Sequence, residues 1–340
     1  MGATVGVALV GLGSWGPSHL RVLQESDQAA LRWICDTDPD RVERLARRTS
    51  AATATDLGRV LEDGETQAVI LATPISTHFE LACRCLEAGK HVLVEKPLAA
   101  SSREAVDLIQ LARDRGLAVM CAHTDLFSPP VRAIAELISE GALGELHFIS
   151  SSMVGLGLDQ RDVSVLWDLA PDDFSILLDW LGEMPESVSA VGRGPIVGGT
   201  PDVAFVNLTY AGGPLANVEM SRLAPSRLRR TVVVGAEKMV VHEDGSPEPV
   251  RIFDHAGDIV SPRVPTEQPL AVQLREFIDA VRRGRGADRH LRLARDVVEL
   301  VETAEDSLQS GGIRIPVRDF RVHDLRDAAL GDRPAPTASR

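Results

Sequence analysis

Four cysteines, at 35, 83, 85 and 121, are too few and too unevenly spaced for a disulfide framework. Cys83 and Cys85 lie two apart in a stretch of helical pattern, so they point to different faces and cannot jointly grip a metal. Cys35 and Cys121 fall in apolar, strand-like runs and read as small core residues. None of the nine histidines pairs as H-x-x-x-H or stands in a C-x-x-C context, so no metal site is expected. Positive charge is also short. Against 49 Asp and Glu there are 36 Lys and Arg, a net charge of −13 that argues against nucleic acid as a partner. No apolar run approaches the roughly twenty residues that span a bilayer. The opening MGATVGVALVGLG has neither a basic n-region nor a cleavage pattern, so the expectation is a cytoplasmic protein without membrane association.

What is present is ordinary globular material, 44% hydrophobic and 25% charged, in a 340-residue chain long enough for two domains. The first third alternates. Short apolar runs at 5–10, 31–35, 68–72, 91–95 and 118–122 are bounded by turn residues, the mark of strands buried on both faces. Helical stretches lie between them: one opened by Asp38 and Pro39, one over 77–88, and one opened by the capping box Ser101–Glu104 and closed at Gly116. This predicts α/β class with a doubly wound parallel sheet over residues 1–123. From 124 to 317 a helix over 130–139, six strand signals and two amphipathic helices predict a second α/β domain with an open, mostly antiparallel sheet. Residues 318–340 read as a polar tail.

GLGSWG, residues 11–16, follows the first strand and precedes a helix opened by Pro17, the context that gives G-x-G-x-x-G its mechanism. Gly11 permits the turn, Gly13 lets a pyrophosphate approach, and Gly16 allows close helix packing, with Ser14 and Trp15 between them. Asp36, twenty residues past Gly16, ends the second strand, where a carboxylate accepts the ribose hydroxyls of NAD and repels a 2′-phosphate. No arginine follows it immediately, so NAD is expected over NADP. Two further loops sit at the same sheet edge. ATPISTH (72–78) places Thr73 and Pro74 along the cofactor path, with His78 opening a helix. EKP brings Glu95 and Lys96 to the end of a buried strand, where a desolvated lysine can orient a hydroxyl and move a proton near neutral pH.

WDLAPDDFSILLDWLG, residues 167–182, holds four aspartates in an apolar segment. Pro171 suits a first helical position, which would put Asp172 and Asp173 in the first turn and Gly182 at the stop. That leaves Asp168 without a role.

With GLGSWG, Asp36, ATPISTH, EKPL and WDLAPDD, the chain from about residue 5 to 315 resembles the Gfo/Idh/MocA oxidoreductase family. G-x-W-G-P-x-x-x-R and RDVSVLWDLAP are similar to its nucleotide-sugar (UDP-N-acetyl-glucosaminuronate type) 3-dehydrogenase branch. The resemblance implies an N-terminal Rossmann domain, NAD(P), a sugar or cyclitol substrate, and homodimers or homotetramers through the C-terminal sheet. It implies nicotinamide-side contacts at Lys96 and His123. Aligned on the family's D-x-G-x-H motif, Asp168 takes the place that holds a substrate hydroxyl, Ala170 the glycine position and Asp172 the histidine position. Ser164 is a second departure, since that branch commonly has asparagine there. An aspartate, with a reference pKa of about 3.9, donates poorly at neutral pH unless burial or a neighbouring carboxylate raises it.

Lys96, Asp168 and Asp172 are therefore the expected catalytic set. The expected reaction is NAD-dependent hydride transfer at a ring carbon of a sugar, nucleotide sugar or cyclitol. A silent NAD-binding sensor and a redox-neutral glycosidase or epimerase remain as alternatives. Arg161, Arg222 and Arg227 stand in loops that can meet an anionic substrate group or simply face solvent.

Overall fold

In the computed structural model, which describes residues 4–156, 163–194, 200–284 and 288–318, the alternating first third is a six-stranded parallel sheet. Its strands are β1 (Val5–Val10), β2 (Ala29–Cys35), β3 (Ala52–Ala54), β4 (Ala68–Leu71), β5 (His91–Glu95) and β6 (Val119–Ala122), in the order β3-β2-β1-β4-β5-β6. β1, β4 and β6 are buried along their whole length, because helices cover both faces. Those helices are α1 (Gly16–Glu25), α2 (Pro39–Ala46), α3 (Leu57–Leu61), α4 (His78–Glu87) and α5 (Ser102–Arg115). Asp38 caps α2 through the N–H groups of Asp40 and Arg41, and Ser101 caps α5 through the N–H of Glu104. The Glu104 carboxylate accepts from Ala100 N–H at 3.1 Å, one residue before the cap. Gly116 closes α5 in the left-handed conformation, φ 63°.

The second half contains α6 (Pro129–Ser139), β7 (Leu146–Leu156), α7 (Val165–Leu181), β8 (Ser187–Arg193), β9 (Val203–Thr209), β10 (Leu215–Ser221), β11 (Leu223–Gly235) and β12 (Lys238–Glu243). It continues with β13 (Val250–Asp254), β14 (Ile259–Val260), α8 (Pro269–Arg283), α9 (Asp288–Gln309) and β15 (Ile315–Pro316). The nine strands run β14-β13-β12-β11-β7-β10-β9-β8-β15, with only the β7–β10 pair parallel. Ala204, Val206 and Leu208 of β9 point into the core with Ala216, Val218 and Met220 of β10. The opposite face carries Phe148, Val191, Phe205 and Leu215 exposed.

α9 joins the two cores. Its Ala294 and Val298 pack with the parallel sheet, and its Val297, Leu300, Val301 and Ala304 with the mixed one. α8 lays Leu270, Leu274 and Phe277 against Leu9, Leu12 and Leu20. Trp167 at the start of α7 packs against both α9-linked cores, so that end of the helix lies on the seam between the sheets.

Here the sequence pattern misplaces a boundary. α7 does not open at Pro171; it opens at Val165 after Ser164 and carries Pro171 inside. Val165, Leu166 and Ala170 are fully buried, and Val165 N–H finds an acceptor at Pro201 O, 3.0 Å away. Burial of that extra turn outweighs the donor that proline withholds from the Trp167 carbonyl. Asp168 is thus the first-turn acid, and Asp172 and Asp173 sit mid-helix, buried.

Candidate active site

The loop after β1 is built for close approach. Gly11 has φ +91°, and a Cβ there would lie 2.3 Å from the Ala72 carbonyl oxygen. A Cβ on Gly16 would lie 2.9 Å from Gly11 O. At Gly13 the nearest protein atom is an Arg41 guanidinium nitrogen, 3.8 Å away. Glycine is therefore demanded by the fold at 11 and 16, whereas at 13 the backbone borders open space. A pyrophosphate fits that space, with the N-terminus of α1 facing it. Ser14 and Trp15 stand exposed on the rim.

Asp36 closes the cradle. Its Oδ2 accepts from Leu12 N–H at 2.7 Å and its Oδ1 from Asp38 N–H at 2.9 Å, so the carboxylate is fixed against the glycine loop. Arg41, five residues on, folds back from α2 to 3.7 Å from Asp36 and 3.3 Å from Asp38. A cation absent from the immediate sequence neighbourhood is present in space.

The β4 and β5 loops are tied to each other. His78 begins α4 with its Nδ1 2.9 Å from Pro97 O and its Nε2 2.8 Å from Thr73 O. Burial lowers its pKa against the pull of those two carbonyls. His78 thus supports the loops, and Thr73 and Pro74 lie beside it. Glu95 is held from the cofactor helix: its Oε1 is 2.7 Å from His19 Nε2 on α1. Its Oε2 accepts from the Lys96 N–H at 3.2 Å.

Lys96 leaves β5 and reaches α7. Its Nζ donates to the Asp168 carbonyl oxygen at 2.6 Å and pairs with Asp172 Oδ2 at 3.2 Å. Burial opposes the ammonium, but the carboxylates of Asp172 and Asp168 outweigh it and hold the pKa above the ordinary lysine value. The expectation of a lysine poised to titrate near neutrality is corrected by this. Lys96 rests charged because two carboxylates converge on it.

Asp168 turns its side chain the other way, to Arg222 Nη2 at 3.1 Å. Burial pushes its carboxyl up, against the lowering pull of Lys96 and Arg222. The same guanidinium reaches Ser164 O at 3.4 Å, and Ser164 Oγ donates to Glu305 at 2.6 Å. Arg222, whose side chain is 1% exposed, is thus an internal partner of Asp168, while Arg227 at 78% faces solvent. Arg161 falls outside the described residues.

Behind Asp172 lies a layer that sequence reasoning missed. Asp125, just past β6, pairs with Arg229 of β11. Asp173 accepts from Ser151 Oγ at 2.7 Å, and Ser151 meets Thr231 at 3.0 Å across the β7–β11 ladder. Burial also raises Asp125, with Asp172 adding to it and Arg229 opposing. His123 is buried with no partner for either ring nitrogen, and burial pushes it down to about 4, leaving a neutral imidazole with one donor and one acceptor free. Asp125 stands in a polar turn, HTDLFS, where an aspartate draws no notice. For Arg229 there was no signal, since β11 alternates irregularly.

Asp173 gives a stability prediction. Complete burial pushes its carboxyl from 3.8 up to about 6, against Arg229 and Ser151. A raised folded-state pKa means that stability is full below the unfolded value and is lost as pH rises through the folded one. A shift of this size corresponds to about 3 kcal/mol. Asp173→Asn should match wild type near pH 4 and exceed it above pH 7 by about 1–3 kcal/mol in urea melts. Parallel pH profiles for the two proteins would contradict the burial of an uncompensated carboxylate.

A glycine cradle at the carboxyl edge of a doubly wound sheet, with a lysine and two aspartates converging beside it, defines a two-domain NAD-binding oxidoreductase architecture. The chain belongs to the Gfo/Idh/MocA family: residues 5–123 match its NAD-binding Rossmann oxidoreductase domain and residues 131–241 its C-terminal domain. It is 28% identical over 297 residues to the scyllo-inositol 2-dehydrogenase (NAD(+)) of Bacillus subtilis (strain 168), covering 82% of this chain and 86% of that one. It is 27% identical over 231 residues to the 2,7-anhydro-N-acetylneuraminate hydratase of Escherichia coli (strain K12). That match covers 63% of this chain and 61% of the hydratase, about three-fifths of its length. The crystal structure of GenD2 from gentamicin A biosynthesis, in complex with NAD, superposes with a TM-score of 0.84 at 27% identity, over 94% of this chain and 98% of that one. Among the described residues no helix is long and apolar enough to cross a membrane.

Proposed function

We propose that the protein catalyses NAD-dependent hydride transfer to or from a ring carbon of a sugar, nucleotide sugar or cyclitol. The observation that carries this is the position of Lys96, which leaves the sheet edge beside the dinucleotide cradle and ends on Asp168 O and Asp172. When bound, the nicotinamide accepts or supplies the hydride. The chain's own residues handle the proton. A charged Lys96 donates directly to the oxygen of a ketone being reduced. The oxidative direction is the reverse of this step: Lys96, once it has released its proton to solvent, takes the carbinol proton as the hydride leaves. Asp168, steadied by Arg222, accepts a neighbouring substrate hydroxyl, and His123 supplies a neutral donor and acceptor on the nicotinamide side. NADH formation on adding NAD with a panel of sugars and cyclitols tests the activity, and its absence across the panel with NAD bound would favour a sensor.

Asp36, Gly11, Gly13, Ser14, Trp15 and Gly16, with Thr73, Pro74 and Glu95 further along, are the cofactor contacts. NAD is favoured over NADP by the Asp36 carboxylate, although Arg41 stands within reach of a 2′-phosphate. Asp36→Ala should weaken NAD roughly tenfold to a hundredfold and narrow or reverse the preference, because it removes a charged acceptor and releases Arg41. Titrating NAD and NADP against both proteins checks this, and tighter NADP binding by wild type would contradict it.

A second reading has one observation in its favour, the aspartate at 172 where the family motif has histidine. Similarity to the hydratase allows a redox-neutral cycle in which hydride is returned to the substrate. Product formed without net NADH would favour it. The exposed apolar side of the mixed sheet, with Phe148, Phe205 and Leu215, supports a homodimer or homotetramer through that face, a point that solution mass measurement tests.

A further inference from the structure

Every lysine and arginine at the reaction centre is matched by a carboxylate, and carboxylates are in excess. Lys96 faces Asp172 at 3.2 Å and Arg222 faces Asp168 at 3.1 Å. Behind them Arg229 is taken by Asp125, and Asp173 is bonded to Ser151. Glu95 is taken by His19, and His123 is neutral. No arginine or lysine among these described residues is left over. Capture of a carboxylate or diphosphate rests on a guanidinium or ammonium with open donors and no competing anion. A histidine at 172, as in the family motif, would have left the Lys96 ammonium without its direct ion-pair partner; Asp172 supplies it.

Arg222 is locked into this arrangement. Its backbone N–H donates to Asp202 O at 2.9 Å, and its side chain is held by Asp168 and the Ser164 carbonyl. Its Nε has no protein acceptor. That nitrogen is enclosed, so Arg222 acts on a ligand through Asp168, whose carboxylate is the more exposed member of the pair. We propose that Arg222 is a specificity-determining residue. By neutralising itself against Asp168, it fixes that carboxylate as an acceptor of hydroxyls and makes the reacting end of the pocket select neutral polyol rings over rings bearing a carboxylate or phosphate. This rests on the reading of the pocket as a sugar-ring site and narrows it, away from acidic and nucleotide-linked sugars.

The test is the dissociation constant, by calorimetry at saturating NAD, of ring pairs that differ by one carboxylate: glucose against glucuronate and galactose against galacturonate. Wild type should favour the neutral member at least about tenfold, the effect of one extra like charge in a partly buried site. Asp168→Asn leaves Arg222 without its counter-charge and should swing the ratio toward the uronate by at least about tenfold. Adding Arg222→Gln to Asp168→Asn should abolish the swing, a result that a purely structural arginine would not give. Preference for the uronate by wild type, or an unchanged ratio in Asp168→Asn, overturns the assignment. Should Asp168→Asn fail to fold, the wild-type ratio decides. Neutral rings that bind without ever reducing NAD leave the charge matching intact and remove the dehydrogenase reading. Turnover of uronates in preference does the reverse, and failure of every ring to bind removes both.

Discussion

Lys96→Met should keep NAD within a few-fold of wild-type affinity and slow turnover by about a hundredfold to ten-thousandfold, the usual weight of a positioned acid or base. Methionine keeps most of the lysine's length and apolar stem while removing the ammonium. Two consequences follow from geometry. The carbinol or carbonyl oxygen loses its proton partner, and Asp172 loses the cation 3.2 Å away. The second effect costs stability, because breaking a buried ion pair by removing one side strands the other. Stability must therefore be measured beside rate. A variant that is folded, binds NAD and is slow supports the chemical role. A variant with wild-type turnover removes Lys96 from the mechanism, whatever its melting temperature.

The second large effect separates two glycines in one motif. Gly11→Ala should destabilise the protein by about 2–4 kcal/mol and abolish cofactor binding, since its Cβ must take a left-handed φ and overlap a strand carbonyl. Nothing flexible can move aside, because the clashing atom is the backbone oxygen of Ala72, 2.3 Å away. Gly13→Ala meets only the Arg41 side chain at 3.8 Å and should leave the unfolding midpoint unchanged. Its penalty should appear only with ligand present, as weaker NAD affinity. Thermal melts with and without NAD check both. Equal stability losses at the two positions, or unaltered NAD binding by Gly13→Ala, would contradict the cradle.

That contrast also shows what is legible in sequence. Most of the parallel half is written locally: β1, β4 and β6 are apolar runs buried on both faces, and Ser101, Asp38 and Gly116 mark helix ends by their own hydrogen bonds and dihedrals. The edges of the sheets are not. β3 has three residues, β14 and β15 two each, and such strands exist because a neighbour offers a ladder rather than through any periodicity of their own. α7 shows the same limit at a helix end. Pro171 is a strong local start signal, yet the helix begins six residues earlier because Val165 and Leu166 find a core and Val165 N–H finds Pro201.

The site divides in the same way. Gly11, Gly13, Asp36 and Lys96 could be named because each sits in a short motif whose mechanism is local. Arg222 and Arg229 acquire meaning only through carboxylates 54 and 104 residues distant, Asp168 and Asp125, and nothing in their own surroundings announces the pairing. Arg41 beside Asp36 is the intermediate case, five residues away in sequence and brought back by one turn of α2.

The most direct test of hydride transfer at a ring carbon uses a cyclitol or sugar deuterated at each carbinol carbon, mixed with the enzyme and NAD. The predicted result is deuterium delivered to the nicotinamide ring in stoichiometric amount with the ketone, from one carbon only. Product that retains all its deuterium, or no product with NAD demonstrably bound, would contradict it.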